Sequence, residues 1–201
     1  MEKNTVHVIV VSFILTFLSF DAVSASSKGH DPHHSPHEKP KHFVLVHRAC
    51  LGAWSWYKLI PPLRSHGHNV TAIDLAASGI NLARTNEIQT FSDYSKPLID
   101  FMESVPETEK IILVGHSLGG VSISQAMELF PHKVSLAVFV TAFMPGPSFP
   151  YSVISQKIQE WMIEKNPTNR VERIGGSNRM VITSQPAELV ACLLGIAQDL
   201  S

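Results

Sequence analysis

Ile111-Ile112-Leu113-Val114 is a continuous apolar run that passes directly into Gly115-His116-Ser117-Leu118-Gly119-Gly120. Nothing else in the chain restricts the fold as much. A strand that is apolar at every position is buried on both faces, and such strands belong to parallel sheets covered by helices on both sides. The spacing G-x-S-x-G then makes a sharp turn from strand to helix. It holds the serine in a strained backbone conformation and lifts its hydroxyl above the sheet, while glycines two residues to either side keep neighbouring atoms clear. Gly120 lets the following helix approach the sheet closely. A Gly-rich turn without any chemistry would use the same residues, and the bare pattern is common by chance. Its place between a buried strand and a helix makes it specific.

The rest of the chain keeps the same rhythm, which is the pattern of an α/β fold with a mostly parallel sheet. Phe43-Val44-Leu45-Val46 reads as a second buried strand, Val70–Ile73 as a third and Val134–Thr141 as a fourth. Helices are expected over Trp54–Ser65, interrupted by Pro61-Pro62, over Thr90–Ser104 and over Gly119–Phe130. After Phe143 the rhythm breaks in a Pro-rich loop from Met144 to Pro150, followed by a helix over Ser155–Lys165 and a short strand over Val171–Ile174. A last helical stripe, Leu189, Val190, Leu193, Leu194 and Ala197, has Ser184 as its expected cap and Pro186 in its first turn.

The N-terminus reads differently. Lys3 precedes an apolar run from Val6 to Phe20, and Ala22-Val23-Ser24-Ala25 has small residues where a signal peptidase reads them. Residues 1–25 are therefore expected to be a secretory signal peptide, which places the protein in the secretory pathway. An uncleaved anchor is the alternative, for which the run is short. Residues 26–41 form a His- and Pro-rich linker, and the domain occupies 42–201. His30, His33, His34 and His37 match no closed metal-site spacing, so no metal is expected. Cys50 and Cys192 are the only cysteines, which is no disulfide framework and leaves room for one bridge at most. With a formal net charge of −1 and no block of Lys or Arg, nothing points to nucleic acid or an acidic membrane surface.

Three stretches carry a family resemblance. His42 to His47 with Ala49-Cys50 and Gly52-Ala53-Trp54, then Asp74-Leu75-Ala76-Ala77-Ser78-Gly79-Ile80-Asn81, then Val114 to Gly120, resemble the plant methylesterase and hydroxynitrile-lyase family of α/β-hydrolases. The resemblance runs from His42 to Pro145 and returns from about Ile154 to Leu200. It implies a single-domain hydrolase with a helical cap, no cofactor, and a small methyl ester of a plant hormone, or a cyanohydrin, as ligand. Ser117 is the nucleophile on this reading. The oxyanion donors are the backbone N–H groups of Leu118, next to it, and of Ala49 in the loop after the first domain strand.

The rest of the triad is not where it should be. In this fold the order along the chain is Ser, then Asp or Glu, then His. Beyond Ser117 the only histidine is His132, and the only acid between them, Glu128, lies on the nucleophile's own helix. Gly176-Ser177-Asn178-Arg179-Met180 resembles the family turn that carries the catalytic histidine, which puts Arg179 in its place. A guanidinium stays protonated and has no acceptor, so it cannot serve as a base. The stretch that would carry the cap, a sheet strand and the catalytic aspartate is mostly absent between Pro145 and Ile154, with Tyr151 and Ser152 about where the acid belongs. Arg48 replaces a glycine of the oxyanion loop, and Leu51 a polar histidine. Losing the base of a serine triad costs about a million-fold in turnover. The expectation is a truncated α/β-hydrolase core without useful catalysis, in which Val171–Ile174 docks directly beside Val134–Thr141.

Overall fold

The computed structural model describes residues 7–14, 39–144, 164 and 169–200. Its strands are β1 (His7–Ile14), β2 (His42–Val46), β3 (Asn69–Ile73), β4 (Ile111–His116), β5 (Val134–Val140) and β6 (Arg170–Gly175). They form one sheet in the order β3-β2-β4-β5-β1-β6, parallel at every pairing.

Side-chain alternation along the central strands makes two cores from one sheet. Phe43 and Leu45 of β2, Ile112 and Val114 of β4, and Leu136, Val138 and Val140 of β5 share one face. There they pack against Trp56, Leu59 and Leu63 and against Leu189, Leu193 and Ile196 of the last helix. Val44, Val46, Leu113, Ala137 and Phe139 point the other way, onto Leu98 and Met102 and onto Ile123 and Ala126. The helices are α1 (Ile60–Ser65), α2 (Phe91–Ser104), α3 (Gly119–Leu129), α4 (Val181–Ser184) and α5 (Pro186–Asp199). The apolar runs are continuous because both faces are covered.

Two local expectations need correction. The stretch from Trp54 to Ser65 is not one helix but a short 3-10 turn, Ala53–Trp56, followed by α1, because Pro61 and Pro62 fit only the first turn of a new helix. Ser184 does not cap the last helix. It ends the single turn α4, with its N–H on Met180 O at 2.9 Å, and Gln185 takes the cap position ahead of Pro186. At the start of α2 Thr90 forms a reciprocal cap, since Thr90 Oγ1 accepts from Asp93 N–H and Asp93 Oδ2 from Thr90 N–H.

The larger correction concerns β6, which does not pair with β5. The N-terminal segment β1 lies between them, in register with β5 from His7↔Leu136 to Val11↔Val140 and with β6 from Ile9↔Arg170 to Ile14↔Gly175. A largely apolar run, interrupted here by His7, Ser12, Thr16 and Ser19, serves equally as the core of a leader and as an inner strand of a parallel sheet. Val and Ile, which dominate His7-Val8-Ile9-Val10-Val11, favour the extended backbone. The helix expected over Ser155–Lys165 lies, apart from Glu164, outside the described residues, as do Tyr151, Ser152 and nearly all of the linker over 26–41.

Candidate active site

Ser117 follows β4 immediately and has φ of +52°, the strained conformation expected of a serine at such a turn. The strain is held in place by backbone bonds. Ser117 N–H donates to Val140 O at 3.2 Å, and Ser117 O accepts from Phe143 N–H at 3.0 Å and Gly120 N–H at 3.1 Å. The turn is thereby tied to the end of β5. Its glycines are needed for close approach, since a Cβ on Gly119 would lie 2.5 Å from Val46 O and one on Gly120 2.0 Å from Phe143 O.

The loop after β2 is organised by two side chains. His47 Nδ1–H donates to Arg48 O at 2.7 Å, and His47 Nε2 accepts from Leu75 N–H at 3.1 Å. Asp74 Oδ1 accepts from Ala53 N–H at 2.6 Å, and Asp74 Oδ2 from Ile80 N–H at 3.4 Å. Gly79 has φ of +57°, and a Cβ there would strike the same carboxylate. Asp74 therefore joins the loop to the turn after β3, a role that the sequence reading did not assign. The motif Asp74 to Asn81 was the available signal. Ala49 and Leu118 both line a cleft of about 740 Å³ between this loop, residues 76–79 and the start of α2, with Leu51, Trp54 and Phe91 on its walls.

The turn that carries Arg179 meets the nucleophile turn from the C-terminal part of the chain. The turn after β6 is shaped by Gly176 at φ +66°, by Ser177 Oγ donating to Ile174 O at 2.7 Å and by Met180 N–H donating to Asn178 Oδ1 at 2.8 Å. Its apex is clasped to the nucleophile turn. Arg179 O accepts from His116 Nε2–H at 2.8 Å and from Thr141 Oγ1–H at 3.3 Å. The side chain of Arg179 is exposed. Neither His116 nor Thr141 was singled out as a clasp by the sequence reading, because nothing local distinguishes a histidine that holds a distant carbonyl.

Histidines near the site are committed elsewhere. Both nitrogens of His47 are used, and burial lowers its pKa despite the Arg48 carbonyl and the Asp74 charge. Burial pulls the His116 imidazole down to about 4, with the guanidiniums of Arg48 and Arg179 acting in the same direction. Its Nδ1 is buried without a partner. His42 is held by Glu109 at 2.6 Å and Thr71 at 2.8 Å, and His132 by Glu107 at 2.7 Å. Among the described residues no hydrogen bond joins a histidine ring to the Ser117 hydroxyl. Cys50 and Cys192 are free, and burial pushes the Cys192 thiol up to about 11. The described residues contain no group of three His, Cys, Asp or Glu able to hold a metal, and the four linker histidines lie outside them.

The depressed His116 gives a pH dependence with a definite sign. Its folded value of about 4 lies below the ordinary 6.5, so between these the unfolded chain binds a proton that the folded chain refuses. Stability is therefore full above about pH 6.5 and should fall as pH drops toward 4, by about 3 kcal/mol from this residue. His47 acts in the same direction. Denaturant midpoints measured from about pH 7 down to about pH 4.5 check this, and equal midpoints would contradict it.

A sequence profile of the alpha/beta hydrolase fold matches residues 41–163. Methyl jasmonate esterase 1 of Vitis vinifera is 57% identical over 123 residues, which are 61% of this chain and 47% of that protein. Polyneuridine aldehyde esterase of Rauvolfia serpentina is 54% identical over 123 residues, with the same coverage. The chain spans about half the length of these curated relatives. Among solved structures, tomato methylketone synthase I complexed with 2-tridecanone superposes with a TM-score of 0.74 at 34% identity, over 81% of this chain and 100% of that one. Polyneuridine aldehyde esterase superposes with a TM-score of 0.73 at 31% identity, over 79% of this chain and 100% of that one.

Proposed function

Since the chain belongs to the α/β-hydrolase fold family and has plant methylesterases as homologues, we propose that it is a methylesterase relative in which Ser117 no longer turns over esters. The carrying observation is the commitment of His47 and His116 to other partners, with Arg179 at the turn where a base would stand. Ser117 is then a nucleophile without activation, and the N–H groups of Ala49 and Leu118 are oxyanion donors without a reaction to serve. The cleft between them favours a second role for the same site, that of a non-catalytic binder of a small molecule. Its ligand would be a small methyl ester of a plant hormone or the corresponding acid, by analogy with the relative named for methyl jasmonate. The reading needs no cofactor.

A rival reading is a weak esterase that uses a substitute base. Hydrolysis of a small aryl ester by the full chain and by Ser117→Ala separates the two. Equal rates are expected, and a rate that falls in Ser117→Ala would establish the rival. Arg179→His alone should restore no turnover, because Tyr151 and Ser152 stand about where the family's orienting acid belongs. Turnover at the level of full-length methylesterases in that single variant would overturn the proposal.

A further inference from the structure

We infer that the stable protein is the form of this chain that never leaves the compartment of its synthesis: residues 7–14 act as part of a leader only until the sheet closes, and the sheet then withholds them. This property of the N-terminal segment is independent of what the cleft binds. A secretory leader works as an accessible apolar stretch ahead of a site for signal peptidase. The run from Val6 to Phe20 and the small residues Ala22-Val23-Ser24-Ala25 satisfy that requirement. In the fold the same stretch supplies β1, which is not an edge strand that could peel away. Its backbone is laddered to β5 on one side and to β6 on the other. A segment held in this way is closed to a targeting receptor and to a membrane.

The two fates exclude each other because the cut falls between β1 and the rest of the sheet. Cleavage after Ala25 breaks the chain between Ile14, the last residue of β1, and His42, the first of β2. The sheet then loses an inner member. Among the described residues β6 pairs with β1 alone, and β6 carries Ile174 into the core shared with Leu189, Leu193 and Ile196 of α5. A processed chain therefore lacks the strand that joins β6 to its neighbours.

Timing decides which fate a given chain takes. β1 is made long before its partners, which lie at residues 136–140 and 170–175. At about 5–20 residues per second the segment waits on the order of ten seconds for them. During that interval it is free to act as a leader. A chain targeted then loses β1, and a chain completed first keeps it.

The chain also carries a record of the path it took. Asn69-Val70-Thr71 is an acceptor sequence for an N-linked glycan, which is added inside the secretory pathway. Asn69 is exposed at the start of β3, the edge strand opposite β6, so the fold has room for a glycan there. A bare Asn69 in folded protein thus reports that the chain did not enter.

The first test is to produce the full chain in plant cells, isolate the folded fraction by its resistance to brief proteolysis, and map it by mass spectrometry. Peptides crossing an intact Ala25–Ser26 bond and an unmodified Asn69 are expected. A folded fraction that begins at Ser26, or that carries a glycan on Asn69, would overturn the inference. The second test adds microsomes competent in post-translational import after synthesis has ended. Val138→Asp puts a charge at a fully buried position of β5 and opens the sheet while leaving the leader unchanged. This variant should gain at least about tenfold more Asn69 glycan than the natural chain, whose open form is a minor population. Equal glycosylation of the two would show that the sheet withholds nothing. Residues 1–30 fused to a reporter should be imported when microsomes are present during synthesis. A reporter left outside would show that the segment is no leader, and the inference would fall with it.

Discussion

A chain beginning at Ser26 should lose its cooperative unfolding transition, while the full chain keeps one. The structure seats β1 between β5 and β6 in two parallel ladders, five registered pairs on one side and six on the other. Together the ladders carry on the order of ten backbone hydrogen bonds, each contributing about 1 kcal/mol. A domain of this size is stable by about 5–15 kcal/mol, so their loss is comparable to the whole. Without β1 the N–H and C=O groups along one side of β5 lose their partners, and β6 is cut off from the sheet. A chain cut after Ala25, where a secretory leader would end, is the same molecule. In the full chain the amides of residues 8–13 should be as protected from hydrogen exchange as those of β5. A chain from Ser26 that melts at the same temperature, or free exchange across residues 8–13 in the full chain, would contradict this role for the segment.

Gly120→Ala should destabilise the domain by about 3 kcal/mol or more, a large cost for one methyl group. The added carbon would lie 2.0 Å from Phe143 O and 2.9 Å from Ala142 Cβ. Neither side can yield cheaply. Phe143 N–H is bonded to Ser117 O, and Ser117 N–H to Val140 O, so the backbone on the far side is part of the turn itself. Relief requires α3 to move away from the sheet, which would open the contacts of Ile123 and Ala126 with the strands and disturb the Ser117 conformation. Gly195→Ala, in the interior of α5 with nothing within 4 Å, is the matched control. It should be neutral or stabilise by up to about 1 kcal/mol through helix propensity. Denaturant unfolding of the two variants compares them directly. Similar midpoints would show that the close approach at Gly120 is not as tight as described.

Much of this molecule could be read along the chain. The four domain strands from β2 to β5 were legible because a strand covered on both faces must be apolar at consecutive positions, and Phe43–Val46 and Ile111–Val114 satisfy that without any partner being known. The Ser117 turn was legible because positive φ and close helix approach demand glycines at fixed offsets, a requirement of covalent geometry alone. The turn from Gly176 to Met180 was legible from its glycine, which takes a positive φ. Other features depended on competition between distant segments. Val171–Ile174 was expected beside β5, but two segments could occupy that slot, and the polar Arg170-Val171-Glu172-Arg173 suits a sheet edge better than its centre. His7–Ile14, apolar and rich in β-branched residues, takes the inner position. Its local pattern is the same whether it ends as a leader or as a strand. The partners of His116, Asp74 and Arg48 were likewise hidden, because a side chain's hydrogen bond to a residue dozens of positions away leaves no periodicity behind. Local conformation is set by sterics within a few residues and can be read from them. Neighbours in a parallel sheet are chosen by the free energy of the whole assembled layer, which only the tertiary structure contains.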